Sequence, residues 1–154
     1  MSHLTNRIQE PPRLLAAVAW NDRLGGNARK GRTMSNGWIG VDLDGTLAHY
    51  DGWKGFNHIG APVPAMVARV RKWLEEGHDV RIFTARVSHN GTPERMVEAQ
   101  HALIRVMDWC EQHFGRTLPV TCTKDFAMVE LWDDRAVQVH ANIGEPVGFS
   151  TRGL

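Results

Sequence analysis

Four short apolar runs in this chain each end in groups able to do chemistry, and stretches of helical periodicity separate most of them. Trp38-Ile39-Gly40-Val41 leads into Asp42-Leu43-Asp44-Gly45-Thr46-Leu47. A second run, from Asp79, ends in Thr84-Ala85-Arg86. Val120 to Thr123 leads into Lys124, and Met128 to Trp132 leads into Asp133-Asp134. Strands alternating with helices need crossover connections and so form a parallel α/β sheet. Such sheets place their sites just beyond the carboxyl ends of the strands. The pattern therefore predicts acids, a hydroxyl and bases converging on one edge.

The intervening stretches carry helix signals. Pro64 to Glu76 has proline at the first helical position, Val67, Val70 and Leu74 on one face, and Gly77 as the stop. Thr92-Pro93 opens a long helix whose apolar stripe is Met96, Leu103, Met107, Cys110 and Phe114, with Gly115 ending it. Trp73 and Trp109 fall on these helices and are expected to pack in or near the core. Val137-Gln138-Val139 is expected as a last strand. Residues 1–36 are rich in Asn, Arg, Gly and Pro and read as a flexible appendage, with Gly25 to Arg32 as a linker. Met34, just before the first strand, offers an alternative start. The expected organisation is thus an appendage over 1–36, a catalytic domain over 37–147, and a frayed end over 148–154.

At 154 residues and a net charge of +1, the chain suits one domain with no global field toward nucleic acid or an anionic membrane. Its two cysteines, Cys110 and Cys122, lack metal-ligand spacing and suit a reducing, cytoplasmic setting. No apolar run approaches the roughly 18 residues that a membrane span needs. Leu14 to Trp20 is short and apolar, but Glu10 and two prolines precede it, so it reads as a loosely attached helix rather than a secretory leader.

Period two along an extended chain puts Asp42 and Asp44 on one side of the backbone. Two carboxylates that close need a cation between them, or one must hold a proton. Asp133 and Asp134 add negative charge from another strand, and several hard oxygen ligands suit Mg²⁺. A metal there permits a carboxylate to attack a phosphate dianion. Gly45 allows a tight turn that aims the N–H groups around Gly45 and Thr46 at phosphate oxygens. Thr84 supplies a hydroxyl, and Lys124 and Arg86 supply positive charge for the transition state. Arg135 is expected to cap or pair locally with Asp133 or Asp134. His49, His58, His78, His89, His101, His113 and His140 show no ligand spacing.

These residues resemble the motifs of the haloacid dehalogenase superfamily, in its phosphatase branch. The resemblance spans roughly Trp38 to Val139, with Asp-x-Asp-Gly-Thr at Asp42 to Thr46 as its most specific part. It implies a three-layer Rossmann-like α/β fold with a mainly parallel sheet, and an aspartyl-phosphate mechanism. It also implies Asp42 as nucleophile and metal ligand. Asp44 is then the general acid/base, with its backbone carbonyl on the metal. Thr84, Lys124 and the Asp133–Asp134 pair fill the second, third and fourth motifs, Asp133 being the direct ligand.

Thr84-Ala85-Arg86 and Asp133-Asp134-Arg135 further resemble the phosphatase domain of phage-type polynucleotide kinases, which implies phosphate binding by Arg86. The kinase half of those proteins, with its P-loop, has no counterpart here. Residues 48–62 are too few for a cap domain, so an open site is expected, bordered by a mobile flap over Tyr50 to His58 with Trp53 and His58 near substrate. The expected substrate is a nucleotide or a polynucleotide end with a terminal phosphate, favoured over sugar phosphates. Near-neutral charge predicts little salt dependence. Two other classes compete: a receiver-type signalling module, and a catalytically idle metal-binding module that recruits a partner. Motif order argues against the first, since Asp-x-Asp comes first here and the acidic pair last. Complete motifs argue against the second.

Overall fold

The computed structural model describes residues 37–148. The appendage expected over 1–36, with its linker and its apolar run, lies outside the described residues, as does the frayed end apart from Gly148. The described elements are β1 (Trp38–Val41), α1 (Pro64–Glu75), β2 (Asp79–Phe83), a 3₁₀ turn (Ala85–Val87), α2 (Pro93–Phe114), β3 (Val120–Thr121) and β4 (Met128–Trp132). Each helix begins with proline, whose fixed φ suits a first helical position and whose missing N–H costs nothing there. The left-handed Gly115, φ +68°, ends α2 by donating its N–H to the Glu111 carbonyl.

The strands make one sheet in the order β3-β2-β1-β4, parallel throughout. The class is α/β, with helices packed on an all-parallel sheet in a Rossmann-like arrangement. Central β1 is buried along its whole length, as a parallel strand with neighbours on both sides must be. Its alternate residues Ile39 and Val41 align with Val80 and Ile82 of β2. These four join Met66, Val67 and Val70 of α1 and Val106, Trp109 and Cys110 of α2 in one apolar cluster. Fully burying such a side chain contributes about 1.5–3 kcal/mol. Both helices thus pack on the same face, and the Arg71 side chain of α1 ties them by donating to the His113 carbonyl at 2.7 Å.

The other face is crossed by the short connection from β3 to β4, residues 122–127. Asp125 pins this connection: its Oδ1 accepts from the Trp38 indole N–H and from the Ala127 backbone N–H, both at 2.8 Å. These hydrogen bonds hold the Asp125 carboxyl below the usual carboxylate range, the indole contributing most. Among the described residues, no helix is long and apolar enough to cross a membrane.

Two expectations are corrected. The buried stripe of α2 is Ala99, Ala102, Val106, Trp109 and Cys110, while Met96 is exposed and Leu103 and Met107 flank it. Ala99 and Ala102 occupy the buried face in the first half of α2, which leaves Met96 turned outward. Val137 to Val139 is not a strand: Val139 makes a single bridge with Pro146, and the Gln138 carbonyl accepts from the Val147 N–H. Only residues 133–136 separate it from β4, too few for a parallel crossover, so the chain turns back on itself instead.

Candidate active site

The chain leaves β1 in a tight loop. The Asp42 N–H donates to the Trp132 carbonyl at 2.8 Å, which fixes the ends of β1 and β4 side by side. Leu43 points into the core, fully buried, and so turns Asp42 and Asp44 the other way. The Ala48 N–H then returns to the Leu43 carbonyl at 2.7 Å. Gly45 makes the return possible: its φ is +100°, and a Cβ there would sit 2.8 Å from an Asp134 carboxylate oxygen. Thr46 locks the same approach, accepting the Asp134 N–H at 3.0 Å on its hydroxyl, which lies 3.5 Å from Asp134 Oδ1. Thr46 thus fastens the β1 loop to the end of β4.

Carboxylate oxygens of Asp42, Asp133 and Asp134 all lie within 4.8 Å of one another. The Asp42 carboxyl is pushed up to about 7, first by burial and then by the charge of Asp133, against a lowering by the Leu43 N–H. Asp133 also accepts the Arg135 N–H at 2.7 Å, which orients it. Asp44 stands outside this cluster. Its carboxylate is held by Arg86, Nε donating to Oδ2 at 2.6 Å and Nη2 to Oδ1 at 2.7 Å.

Arg86 is only 6% exposed, and among the described residues its Nη1 has no hydrogen-bond partner. Thr84, 2% exposed at the end of β2, anchors it: the Thr84 hydroxyl accepts the Arg86 N–H at 3.3 Å, and the Thr84 N–H donates to the Thr121 carbonyl at 2.9 Å.

Asp42, Asp44, Thr84, Arg86 and Asp133 line one cavity of about 700 Å³ at the carboxyl edge of the sheet. Its outer wall is the loop between β1 and α1, where Tyr50, Trp53 and Phe56 face the cavity. The base of this flap is fixed by the Ala61 carbonyl, which accepts the His49 N–H at 2.8 Å, and by the Gly60 carbonyl, which accepts the Trp109 indole N–H at 3.1 Å. The wall carries three guanidinium–aromatic stacks: Arg86 on Trp53 at 5.0 Å, Arg95 on Phe56 at 5.8 Å and Arg135 on Tyr50 at 5.8 Å. No cap domain intervenes between β1 and α1 or between β2 and β3.

Five expected site residues do not line the cavity: Gly45, Thr46 and Asp134, which meet one another behind Asp42 and Asp133, and Lys124 and His58. Lys124 is exposed, lies off the lining and forms no ion pair among the described residues. Its neighbour Asp125 is pinned to Trp38, at the amino end of β1, while Asp42 follows the carboxyl end, about 13 Å further along by strand rise. Arg86 is the cation beside the acids instead. His58 is exposed and also off the lining, with its backbone N–H turned to the Gly55 carbonyl. Conversely, Arg95 and Glu98 of α2 line the cavity and were not singled out by motif. The available signal is positional: the first turns of a helix that follows a β-strand site loop face the same sheet edge.

No protein-family model matches the chain, and neither does any curated protein. A solved structure, a conserved protein coded by a locus of Bacteroides thetaiotaomicron, is similar over 66% of this chain and 78% of its own, with 21% identity and a TM-score of 0.43.

Proposed function

We propose that this chain is a magnesium-dependent phosphomonoester hydrolase that attacks phosphorus with Asp42. The observation that carries the reading is the three-acid cluster set beside the Asp44–Arg86 pair in one cavity. The donor set fits a hard divalent cation. It offers only carboxylate oxygens, and the raised Asp42 carboxyl marks a place short of positive charge. Asp42, Asp133 and Asp134 would hold Mg²⁺, and Asp44 would not do so through its carboxylate, which Arg86 occupies. When bound, the cation neutralises phosphoryl oxygens and keeps Asp42 ionised.

The chain's own groups supply the rest. A carboxylate oxygen of Asp42 bonds to phosphorus as the ester P–O bond breaks, and the leaving oxygen takes a proton from Asp44. Water then attacks the aspartyl-phosphate, Asp44 takes its proton, and the P–O bond to Asp42 breaks to release phosphate. The free Nη1 of Arg86 and the hydroxyl of Thr84 are the donors available to the phosphoryl oxygens. Arg86 must loosen its grip for Asp44 to carry a proton, and a phosphate competing for the guanidinium provides the means.

The expected substrate remains a nucleotide or a polynucleotide end, supported by the capless cavity and by Tyr50, Trp53 and Phe56 on its wall. The test is hydrolysis of p-nitrophenyl phosphate with and without Mg²⁺. Turnover that needs Mg²⁺ and disappears in Asp42→Asn supports the reading, and no turnover under either condition rejects it. The Asp44–Arg86 pair favours one second reading, a module that accepts phosphate on Asp42 and releases it slowly. A stoichiometric burst of nitrophenol without turnover identifies that case.

A further inference from the structure

The wall of the cavity is ordered as a series. Arg86, deep inside and bonded to Asp44, stacks on Trp53. Trp53 meets Phe56 edge-on at 4.9 Å. Arg95, in the first turn of α2, stacks on Phe56 at the outer end. A buried cation, two aromatic rings and an exposed cation therefore follow one another from the acids outward. Arg95 is 46% exposed along its side chain, and Glu98 takes only its Nη1, at 2.6 Å. An exposed pair of this kind is worth little and exchanges readily for a stronger anion. Stacking holds the guanidinium plane while its remaining N–H groups stay free to bind.

We propose that Arg95 is the second anion-binding position of the site, so that the substrate is a nucleoside bearing phosphate on both sides. This rests on the phosphomonoesterase reading and deepens it. The terminal phosphate lies against Asp42 and Arg86, the nucleoside against Trp53 and Phe56, and the next phosphate against Arg95. The order of cation, apolar surface and cation matches the order of groups along a nucleic acid, in which stacking and phosphate contact alternate. A sugar phosphate or a simple mononucleotide reaches only the inner half of the series. Three arginines, Arg86, Arg95 and Arg135, line the opening beside the acids Asp42, Asp44, Glu98 and Asp133. Little salt dependence is the expectation from net charge alone; a phosphate contact at the exposed Arg95 would add a measurable one.

The experiment uses the full chain carrying Asp42→Asn, so that binding is read without turnover, in Mg²⁺ buffer by titration calorimetry. The ligands are a nucleoside monophosphate, the matching nucleoside 3′,5′-bisphosphate, and dinucleotides phosphorylated at either the 5′ or the 3′ end. A dinucleotide whose internal linkage is a neutral methylphosphonate completes the set. The two-phosphate ligands should bind about tenfold more tightly than the monophosphate, the worth of one charge-assisted contact. Arg95→Gln should remove that preference, and the methylphosphonate should remove it without the substitution. Preference for dinucleotides over the bisphosphate identifies a polynucleotide end as the source of the second anion, and equal binding identifies a free nucleotide. Arg135→Gln, whose guanidinium stacks on Tyr50 instead, should keep the preference. The proposal is overturned if Arg95→Gln changes the ratio of two-phosphate to one-phosphate affinity by less than twofold. Loss of p-nitrophenyl phosphate hydrolysis by the unsubstituted protein is a separate result, and it bears on the phosphatase reading alone.

Discussion

Arg86 holds the Asp44 carboxylate by two parallel hydrogen bonds of 2.6 and 2.7 Å and keeps its third nitrogen without a partner among the described residues. A fork of this kind fixes both the position and the plane of the carboxylate, which a single ammonium cannot do. Arg86→Lys should therefore keep the charge and lose the geometry, lowering kcat/KM by about a hundredfold, the value of a preorganised charged donor. Arg86→Ala should also destabilise the fold by about 3 kcal/mol, because it leaves a largely buried carboxylate without its cation. Steady-state kinetics and urea unfolding measure the two effects. A lysine variant within threefold of the parent means that the fork has no part in turnover.

Asp44→Asn tests the same pair from the other side. The acid cluster of Asp42, Asp133 and Asp134 does not include this carboxylate, so cation binding should persist. Protonation of the leaving group should not. Loss of a general acid lowers the rate by roughly 10²–10⁴-fold, and an ester whose leaving group needs no proton should recover much of that in the first step. The check is a series of aryl and alkyl phosphates of graded leaving-group pKa. An equal loss across the series contradicts an acid role for Asp44.

The two thiols should differ sharply in reactivity. Burial in the core pushes Cys110 up to about 12, so almost no thiolate exists near neutral pH, while Cys122 is exposed just beyond β3. Iodoacetamide at pH 8 should label Cys122 alone in the native protein, and both residues in urea. Peptide mass mapping reads the outcome. Native labelling of Cys110 means that α2 does not pack on the sheet as described.

Much of this arrangement is legible in the sequence because short-range chemistry sets it. Prolines at 64 and 93 and glycines at 77 and 115 mark the helices to within a residue. The apolar runs and their alternation place Asp42, Asp44, Thr84 and Asp133 on one sheet edge before any coordinates exist. What is not legible depends on the route of the chain. Lys124 follows a strand just as Thr84 does, but β3 and β4 lie on opposite edges of the sheet, and its neighbour Asp125 is tied to Trp38 at the amino end of β1. Arg95 has no motif, and its place depends on how α2 leaves the 3₁₀ turn after Thr84. The stripe of α2 differs for a related reason: side-chain size suggests Met96, while the buried positions are Ala99 and Ala102. Thr46 reads as a phosphate ligand by motif, and its hydrogen bonds to Asp134 give it a structural tie that no local pattern encodes.

The acid cluster predicts its own linkage to pH and to cations. Burial and the charge of Asp133 raise the Asp42 carboxyl from the usual 3.8 to about 7 in the folded protein. A raised carboxyl means that the folded state binds its proton more tightly than the unfolded state does. The sign follows: without metal, Asp42 takes nothing from stability below about pH 4, and destabilises progressively as pH rises from there through 7. Asp42→Asn removes this dependence. In EDTA the variant should melt higher than the parent at pH 8, and the difference should vanish near pH 4. Addition of millimolar Mg²⁺ at pH 8 should raise the melting temperature of the parent, because a cation that binds only the folded state stabilises it by mass action. The variant, with one carboxylate fewer, should respond much less. Thermal melts of both proteins across pH, with and without Mg²⁺, provide the measurement and require no substrate. Parallel pH profiles for the two proteins mean that Asp42 is not the uncompensated acid. A parent indifferent to Mg²⁺ at pH 8 means that the cluster does not hold a cation, and the catalytic reading of Asp42 falls with it.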